Sequence, residues 1–234
     1  MKISGPLEDA IFIERPNRFL VVAKVNGKCV ESHLPDPGRL TELLIPGAAL
    51  KVRWVPESQT NRKTKWTAVL VNKNGQWISI DSTLPNRFIK ELLKQNKLPM
   101  FQGYQFVRSE VSVKGHRFDF LLEKDDHPFF LEVKSVTLVK NGVAMFPDAI
   151  TERGVRHVTA LADLVKSGVG AGVLFVCQRS DVKLFRPQWD RDHRFAEVLV
   201  MADRVGVKIW VISSKVSPES IEYNKQIPYD LSPF

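Results

Sequence analysis

RFDFLLEKDDHPFFLEVK, residues Arg117 to Lys134, decides the fold of this 234-residue chain. Its two halves are rich in Phe, Leu and Val and flank the polar segment Glu123 to Pro128, which is a strand, turn, strand pattern. With the turn centred on Asp125 and Asp126, Asp119 falls opposite Glu132. Because strand side chains alternate with period 2, both acids then share a face with Lys134. Phe118, Phe120, Leu122, Phe129, Leu131 and Val133 are expected on the other face as one continuous apolar surface.

Directly opposed strand residues have Cβ atoms roughly 4.5 to 5.5 Å apart, so two carboxylates there repel unless a cation lies between them. A sparse two-carboxylate site suits Mg²⁺ or Mn²⁺, which bind oxygen, keep several waters and complete their shell with substrate phosphate. Lys134 would orient water or neutralise charge on phosphorus. Val107 to Val113 also reads as a strand, and a tight turn at Lys114-Gly115 into His116 to Leu122 sets Glu110 opposite Asp119. Glu110 is thus a third acid for the same face, as metal ligand or base. A solvated surface ion pair explains most Asp and Glu-x-Lys combinations, but the apolar neighbours on both strands weigh against it here.

Asp119 with Glu132-Val133-Lys134 resembles the core of the PD-(D/E)xK nucleases, and the whole chain resembles the sugar fermentation stimulation protein A family. The resemblance rests on Asn17-Arg18-Phe19, His33-Leu34-Pro35 with Gly38, Asn86-Arg87, Arg117 to Phe120, Glu132 to Thr137, Phe146 to Ala149, and Thr151 to Gly154 followed by His157. Phe118 stands where the nuclease motif has proline, and Asp36-Pro37 stands where many relatives carry Asn-Thr. The resemblance implies an N-terminal OB-like β-barrel and a C-terminal restriction-endonuclease-like mixed sheet flanked by helices, an α/β, two-domain chain. It also implies DNA binding with little sequence preference, the Val133 carbonyl as a further metal ligand, and Arg153 and His157 on the following helix facing phosphate. Many nucleases of this fold cut duplexes as dimers, so a homodimer is compatible.

Composition agrees with a globular protein, 44% hydrophobic. The start, MKISGPLEDAIF, lacks a secretory layout and no stretch is long enough to span a bilayer, which leads to an expected cytoplasmic location. Cys29 and Cys177 are expected reduced and buried. Residues 1–108 hold 17 Lys plus Arg against 9 acids, and residues 109–234 hold 17 against 17, so the net +8 lies wholly in the first half. That division fits one part gripping a polyanion and another presenting clustered acids. A membrane partner has no support.

Residues 8–25 and 28–34 read as strands joined by Asn26-Gly27, Arg39 to Leu44 as a short helix, and Ala49 to Val55, Lys65 to Asn72 and Gln76 to Asp81 as further strands. Such strands suit a nucleic-acid-binding barrel. The loop Asn61 to Trp66 joins Arg62, Lys63 and Lys65 to an indole, Trp66, the pairing that holds phosphate while stacking a base. Arg53 lies on the preceding strand, and Arg18 and Arg39 flank the first hairpin and the Pro-Gly turn. Residues 85–97 read as a helix with Phe88, Ile89, Leu92 and Leu93 on one face and Arg87, Lys90, Lys94 and Lys97 as a basic stripe. The expected units are an OB-like domain over 1–84, a basic connecting helix over 85–100 and a nuclease-like domain over 101–234. Within the last, helices at 151–166 and 192–204 alternate with strands at 172–177 and 207–212, and the tail from Ser213 reads as loop-rich.

Two functions remain open from the sequence. One is a Mg²⁺- or Mn²⁺-dependent nuclease acting on DNA or RNA, with Asp119, Glu132, Lys134 and Glu110 in its active site. The other is a nonspecific DNA-binding regulator of sugar metabolism with a catalytically silent nuclease-like scaffold. Glycoside hydrolysis is a distant third, because its paired carboxylates must flank a sugar and an adjacent lysine is no part of that plan.

Overall fold

In the N-terminal half, Asn-Gly turns and alternating burial fold a short polar and apolar sequence into a closed barrel. A computed structural model describes residues 1–56, 58, 62–113 and 115–233. The first five strands are β1 (Leu7–Asn17), β2 (Leu20–Val25), β3 (Lys28–His33), β4 (Ala49–Trp54) and β5 (Trp66–Lys73). They run in the order β3-β2-β1-β4-β5, and β3 pairs back onto β5 to close the cylinder, with β6 (Gln76–Ser79) a hairpin partner of β5. Asn26 and Asn74 both take left-handed φ (47° and 53°) ahead of glycine, the geometry of tight hairpin turns. Phe12, Val21, Ala23, Leu50 and Val52 fill the interior.

Two expectations for this half need correction. The stretch 8–25 is two strands, because the Asn17 side chain accepts the Phe19 N–H (2.9 Å) and reverses the chain at Arg18-Phe19. Arg39 to Leu44 makes one isolated turn, closed by Leu44 N–H to Leu40 O (2.9 Å), with Leu40 itself at φ 52°. Of the basic loop, Asn61 lies outside the described residues, as does Lys114 of the second expected turn.

Helix α1 (Leu84–Lys94) follows, then β7 (Gln105–Val113), β8 (His116–Lys124), β9 (His127–Val136), β10 (Val139–Lys140), β11 (Val143–Phe146), α2 (Glu152–Lys166), β12 (Gly170–Cys177), β13 (Leu184–Pro187), α3 (His193–Arg204), β14 (Lys208–Val216) and β15 (Ile221–Gln226). The main sheet has the order β15-β14-β12-β9-β8-β7, with β12 parallel to both β9 and β14 and the remaining pairs antiparallel. β10, β11 and β13 form a small separate sheet. The tail is not loop-rich as expected: β14 runs to Val216 and returns as β15, whose Ile221 is fully buried.

Both faces of the main sheet are covered. Helix α1 lays Phe88, Ile89, Leu92 and Leu93 against Phe120, Leu122, Leu131 and Val133. On the other face, α2 and α3 bury Val158, Leu161, Phe195 and Leu199 against Phe118, Phe130, Val173 and Phe175. The single apolar face expected for the hairpin is therefore split: Phe118 packs on the helix α2 side and Phe120 on the α1 side. In the neighbouring strand Ser109 pairs with Phe120 and Val111 with Phe118, which sets Glu110, at φ 55°, opposite Asp119 as expected. Cys177 is buried as expected, whereas Cys29 is exposed, and both are unpaired. Among the described residues no helix is long and apolar enough to cross a membrane.

The two halves dock through polar bonds across their junction. Asp148 accepts the Leu40 N–H (2.7 Å) through Oδ2 and Arg191 (3.0 Å) through Oδ1. Within the N-terminal half, beside the Asp148–Leu40 bond, Asp36 takes the Gly38 N–H (2.7 Å) and Ser82 Oγ donates to Pro35 O (2.8 Å). A Cβ at Gly38 would sit 2.9 Å from Asp36 Oδ1 and 3.1 Å from Asp148 Oδ2, so only glycine fits between these carboxylates. Burial pushes the Asp36 carboxyl up to about 6, with nearby Asp148 adding to the rise against the opposing pull of the Gly38 N–H and Arg15.

Gly38→Ala is expected to destabilise the protein by about 1–3 kcal/mol in urea denaturation, the usual cost of overpacking. Asp36 has a folded pKa raised above its unfolded value, so its contribution favours the folded state below about pH 4 and is lost as pH rises through about 6. Asp36→Asn keeps an oxygen for the Gly38 N–H and removes the charge. It should raise stability at pH 7.5 by roughly 1–3 kcal/mol and flatten the pH dependence between 4 and 6; equal losses at pH 4.5 and 7.5 would contradict this.

Candidate active site

The turn at Asp125-Asp126, both in left-handed φ (51° and 62°), sets the hairpin register. Lys124 pairs with His127, Leu122 with Phe129 and Phe120 with Leu131, the frame that carries Asp119 towards Glu132. Beyond Phe120, the Asp119 carboxylate itself accepts the Val133 N–H through Oδ2 (2.7 Å). Its other oxygen, Oδ1, accepts from Asn86 Nδ2 (2.6 Å), in the first turn of α1. Lys134 Nζ donates to Glu132 Oε1 (2.5 Å), and His157 Nδ1, from α2, reaches the same oxygen. Glu132 is only 3% exposed, and its Oε2 is buried without any hydrogen-bond partner.

The electrostatics follow from this burial. Desolvation and the neighbouring charge of Glu132 raise the Asp119 carboxyl to about 6, against the Val133 and Asn86 donors and the positive charge of Lys134. Burial alone would also raise Glu132, but Lys134 and His157 outweigh it and hold this carboxyl below its ordinary value. The pair therefore combines a buried Glu132 with a half-buried Asp119, mutual repulsion and one carboxylate oxygen lacking a donor. A hard cation would relieve all three, so the residues fit a divalent ion held by Asp119, Glu132 and the Val133 carbonyl. Glu110 is exposed, and among the described residues no three His, Cys, Asp or Glu side chains converge as a ligand set.

His157, expected to face phosphate, is instead 7% exposed and bonded to Glu132. Arg153, one turn earlier, is exposed. Trp66, expected to stack a base, is half-buried against the barrel core and meets Trp54 edge-on at 5.1 Å. The accessible indole is Trp54, 45% exposed, with Lys65 Nζ 6.0 Å from its ring centre. Arg53 donates to Ser4 O (3.3 Å) and Arg62 to Thr67 Oγ1 (3.1 Å), and Arg53 lies within electrostatic reach of Asp81, Arg87 and Arg62. Arg87 pairs with Asp81 (2.9 Å), and the Arg53 guanidinium, lowered by burial, is raised by Asp81 and lowered again by Arg87 and Arg62. Burial and Arg62 together lower the nearby His33 imidazole.

The other candidate cations are more dispersed. Arg18 lies over Phe19 (6.0 Å) and Lys94 over Phe106 (5.4 Å). Arg39, Lys63 and Lys90 are exposed. Asn86, Asp81 and Trp54 were not singled out as site residues by the sequence. The Asn86 contact joins positions 33 residues apart in the chain; Asn86-Arg87 is among the blocks that carry the family resemblance, but nothing local to it points to Asp119.

A closed five-stranded barrel joined to a helix-flanked mixed sheet, with two acids and a lysine on adjacent central strands, defines an OB-like domain fused to a restriction-endonuclease-like domain. Residues 13–80 match the family model described as the SfsA N-terminal OB domain, and residues 83–220 match that of the sugar fermentation stimulation protein RE domain. The chain belongs to the sugar fermentation stimulation protein family. It is 41% identical over 228 residues to the sugar fermentation stimulation protein homolog of Clostridium tetani, covering 97% of this chain and 98% of the relative. The homolog of Acetivibrio thermocellus is 42% identical over 231 residues, again covering 97% and 98%. The solved structure of Pyrococcus furiosus SfsA in complex with Ca²⁺ matches with a TM-score of 0.88 at 28% identity, covering 98% of each chain.

Asn86→Ala removes one of the donors that favour ionised Asp119. In the metal-free protein the Asp119 carboxyl should then titrate higher than in the wild type, measured by carboxyl ¹³C chemical shift against pH. An unchanged midpoint would show that the Asn86 bond does not act on the charge.

Proposed function

We propose that this protein is a metal-dependent nuclease that binds DNA without strong sequence preference. The observation that carries the proposal is the Asp119 and Glu132 pair beside Lys134, with Glu132 Oε2 buried and unpaired. Ca²⁺ in the Pyrococcus furiosus relative supports an oxygen-ligand cation site in this fold, and Mg²⁺ or Mn²⁺ is the proposed ion here. When bound, such an ion would polarise a phosphoryl oxygen and acidify a water.

The chain's own residues would do the rest. Asp119 and Glu132, with the Val133 carbonyl, hold the ion. Lys134, fixed by its bond to Glu132, sets an ammonium group against charge developing on the phosphoryl oxygens. Arg53, Arg62 and Arg87 hold phosphates of the same strand, and α1 links them to the acids: Asn86 bonds Asp119 while adjacent Arg87 bonds Asp81. Trp54, with Lys65 beside it, offers a surface for an unpaired base. Glu110 lies at the rim of this arrangement, where it could act only through water.

Purified protein with Mn²⁺ or Mg²⁺ should cleave labelled single- or double-stranded DNA. Asp119→Ala and Glu132→Ala should abolish cleavage, and Lys134→Met should reduce kcat about 10²- to 10³-fold. Cleavage retained in Asp119→Ala would overturn the active-site assignment. Binding without cleavage under any metal would favour the silent regulator. Arg62→Ala or Arg87→Ala should weaken DNA binding and lower the slope of log K against log salt by about 1 each if each contacts one phosphate. Unchanged slopes would place the DNA elsewhere.

A further inference from the structure

Helix α2 brings one buried polar side chain to the carboxylate pair, His157, whose position is firmly set. The Thr151 hydroxyl caps the helix by accepting the Gly154 N–H (3.0 Å), and the Thr151 N–H is held by Asp192 (2.8 Å). Gly154 lets the first turn pack closely, since a Cβ there would lie 2.7 Å from Thr151 Cγ2 and 3.2 Å from Phe195 Cε2. One turn on, the imidazole meets the Phe118 ring edge-on, with centroids 6.3 Å apart. At 7% exposure it is out of reach of substrate.

Two donors, His157 and Lys134, converge on the same oxygen of Glu132 and leave the other bare. A lysine stem is flexible and reaches Glu132 along its own strand, so it does not by itself fix the carboxylate plane. A rigid ring clamped between a helix and a phenylalanine does. We propose that His157 is a positioning residue: its Nδ1–H, together with the Lys134 ammonium, anchors Glu132 through Oε1 so that Oε2 is presented to the divalent ion. The proposal rests on the metal-dependent function above and adds to it the side chain that sets the geometry of the ligand.

The test is calorimetric titration of Mn²⁺ into wild type, His157→Ala and His157→Gln, with the melting temperature of each metal-free protein measured alongside. Hydrogen-bond partners of metal ligands typically contribute about 10- to 100-fold in metal affinity, and a loss of that size is expected for His157→Ala. His157→Gln, whose amide can donate to Oε1, should recover most of the affinity. A merely structural histidine would lower the melting temperature and leave Mn²⁺ affinity in the folded protein unchanged, and that result overturns the proposal. So does a glutamine variant that folds and binds Mn²⁺ as weakly as the alanine variant. If His157→Ala does not fold, the glutamine variant alone decides, and wild-type affinity there supports donation at Oε1. A wild type that binds no Mn²⁺ removes the metal-dependent function itself, and the role of His157 falls with it.

Discussion

Two carboxylates, one buried and one half-buried, lie side by side on neighbouring strands of a sheet, and much of the second half is arranged around their repulsion. Neither acid is left to water. Asp119 is held by a backbone N–H and an amide from α1, Glu132 by a lysine and by an imidazole from α2. The two layers that cover the sheet thus contribute one polar side chain each to the same point. Buried charge is tolerated only when it is paired and hydrogen-bonded, and here the pairing is complete except at one oxygen. That exception marks where an ion would sit.

The hairpin was legible because its turn and its apolar content agree. Asp125-Asp126 set the register, and the register set Asp119 near Glu132. What the sequence hid depends on contacts distant along the chain. A period of 2 assigns Phe118 and Phe120 to one face, yet the two rings enter different cores. His157 lies one turn from exposed Arg153, so helical spacing alone suggested a shared phosphate-facing role. Only the depth of α2 against the sheet separates a solvent-facing arginine from a histidine turned inward. The tail reads as loop because β15 is polar along most of its length, with Ile221 as its sole fully buried residue.

The N-terminal half shows the opposite balance. Its Asn-Gly turns disclosed the hairpins, but which aromatic is accessible depends on the cross-strand pairing of Trp54 with Trp66. The strand end leaves Trp54 at the surface, while Trp66 joins the barrel core. The reversal at Arg18-Phe19 was hidden for a similar reason. It uses an asparagine side chain in place of a glycine, within a stretch otherwise continuous with a strand.

Asp81 explains how an uneven charge distribution becomes a shaped surface. It is 2% exposed, and one of its oxygens takes both the N–H (2.9 Å) and the hydroxyl (2.6 Å) of Thr83, ordering the entry to α1. The other takes Arg87, which has donors to spare because a guanidinium carries five. A single acid therefore starts the helix and anchors a cation on it. Arg53 is within electrostatic reach of both Arg87 and Arg62, and the charge of Asp81 offsets their mutual repulsion. Since Asn86 precedes Arg87 on the same turn and bonds Asp119, the distance from Arg87 to the carboxylate pair is fixed by one helical turn. A flexible linker would not hold it. A polyanion engaged at Arg87 would thus be brought beside the acids by backbone geometry.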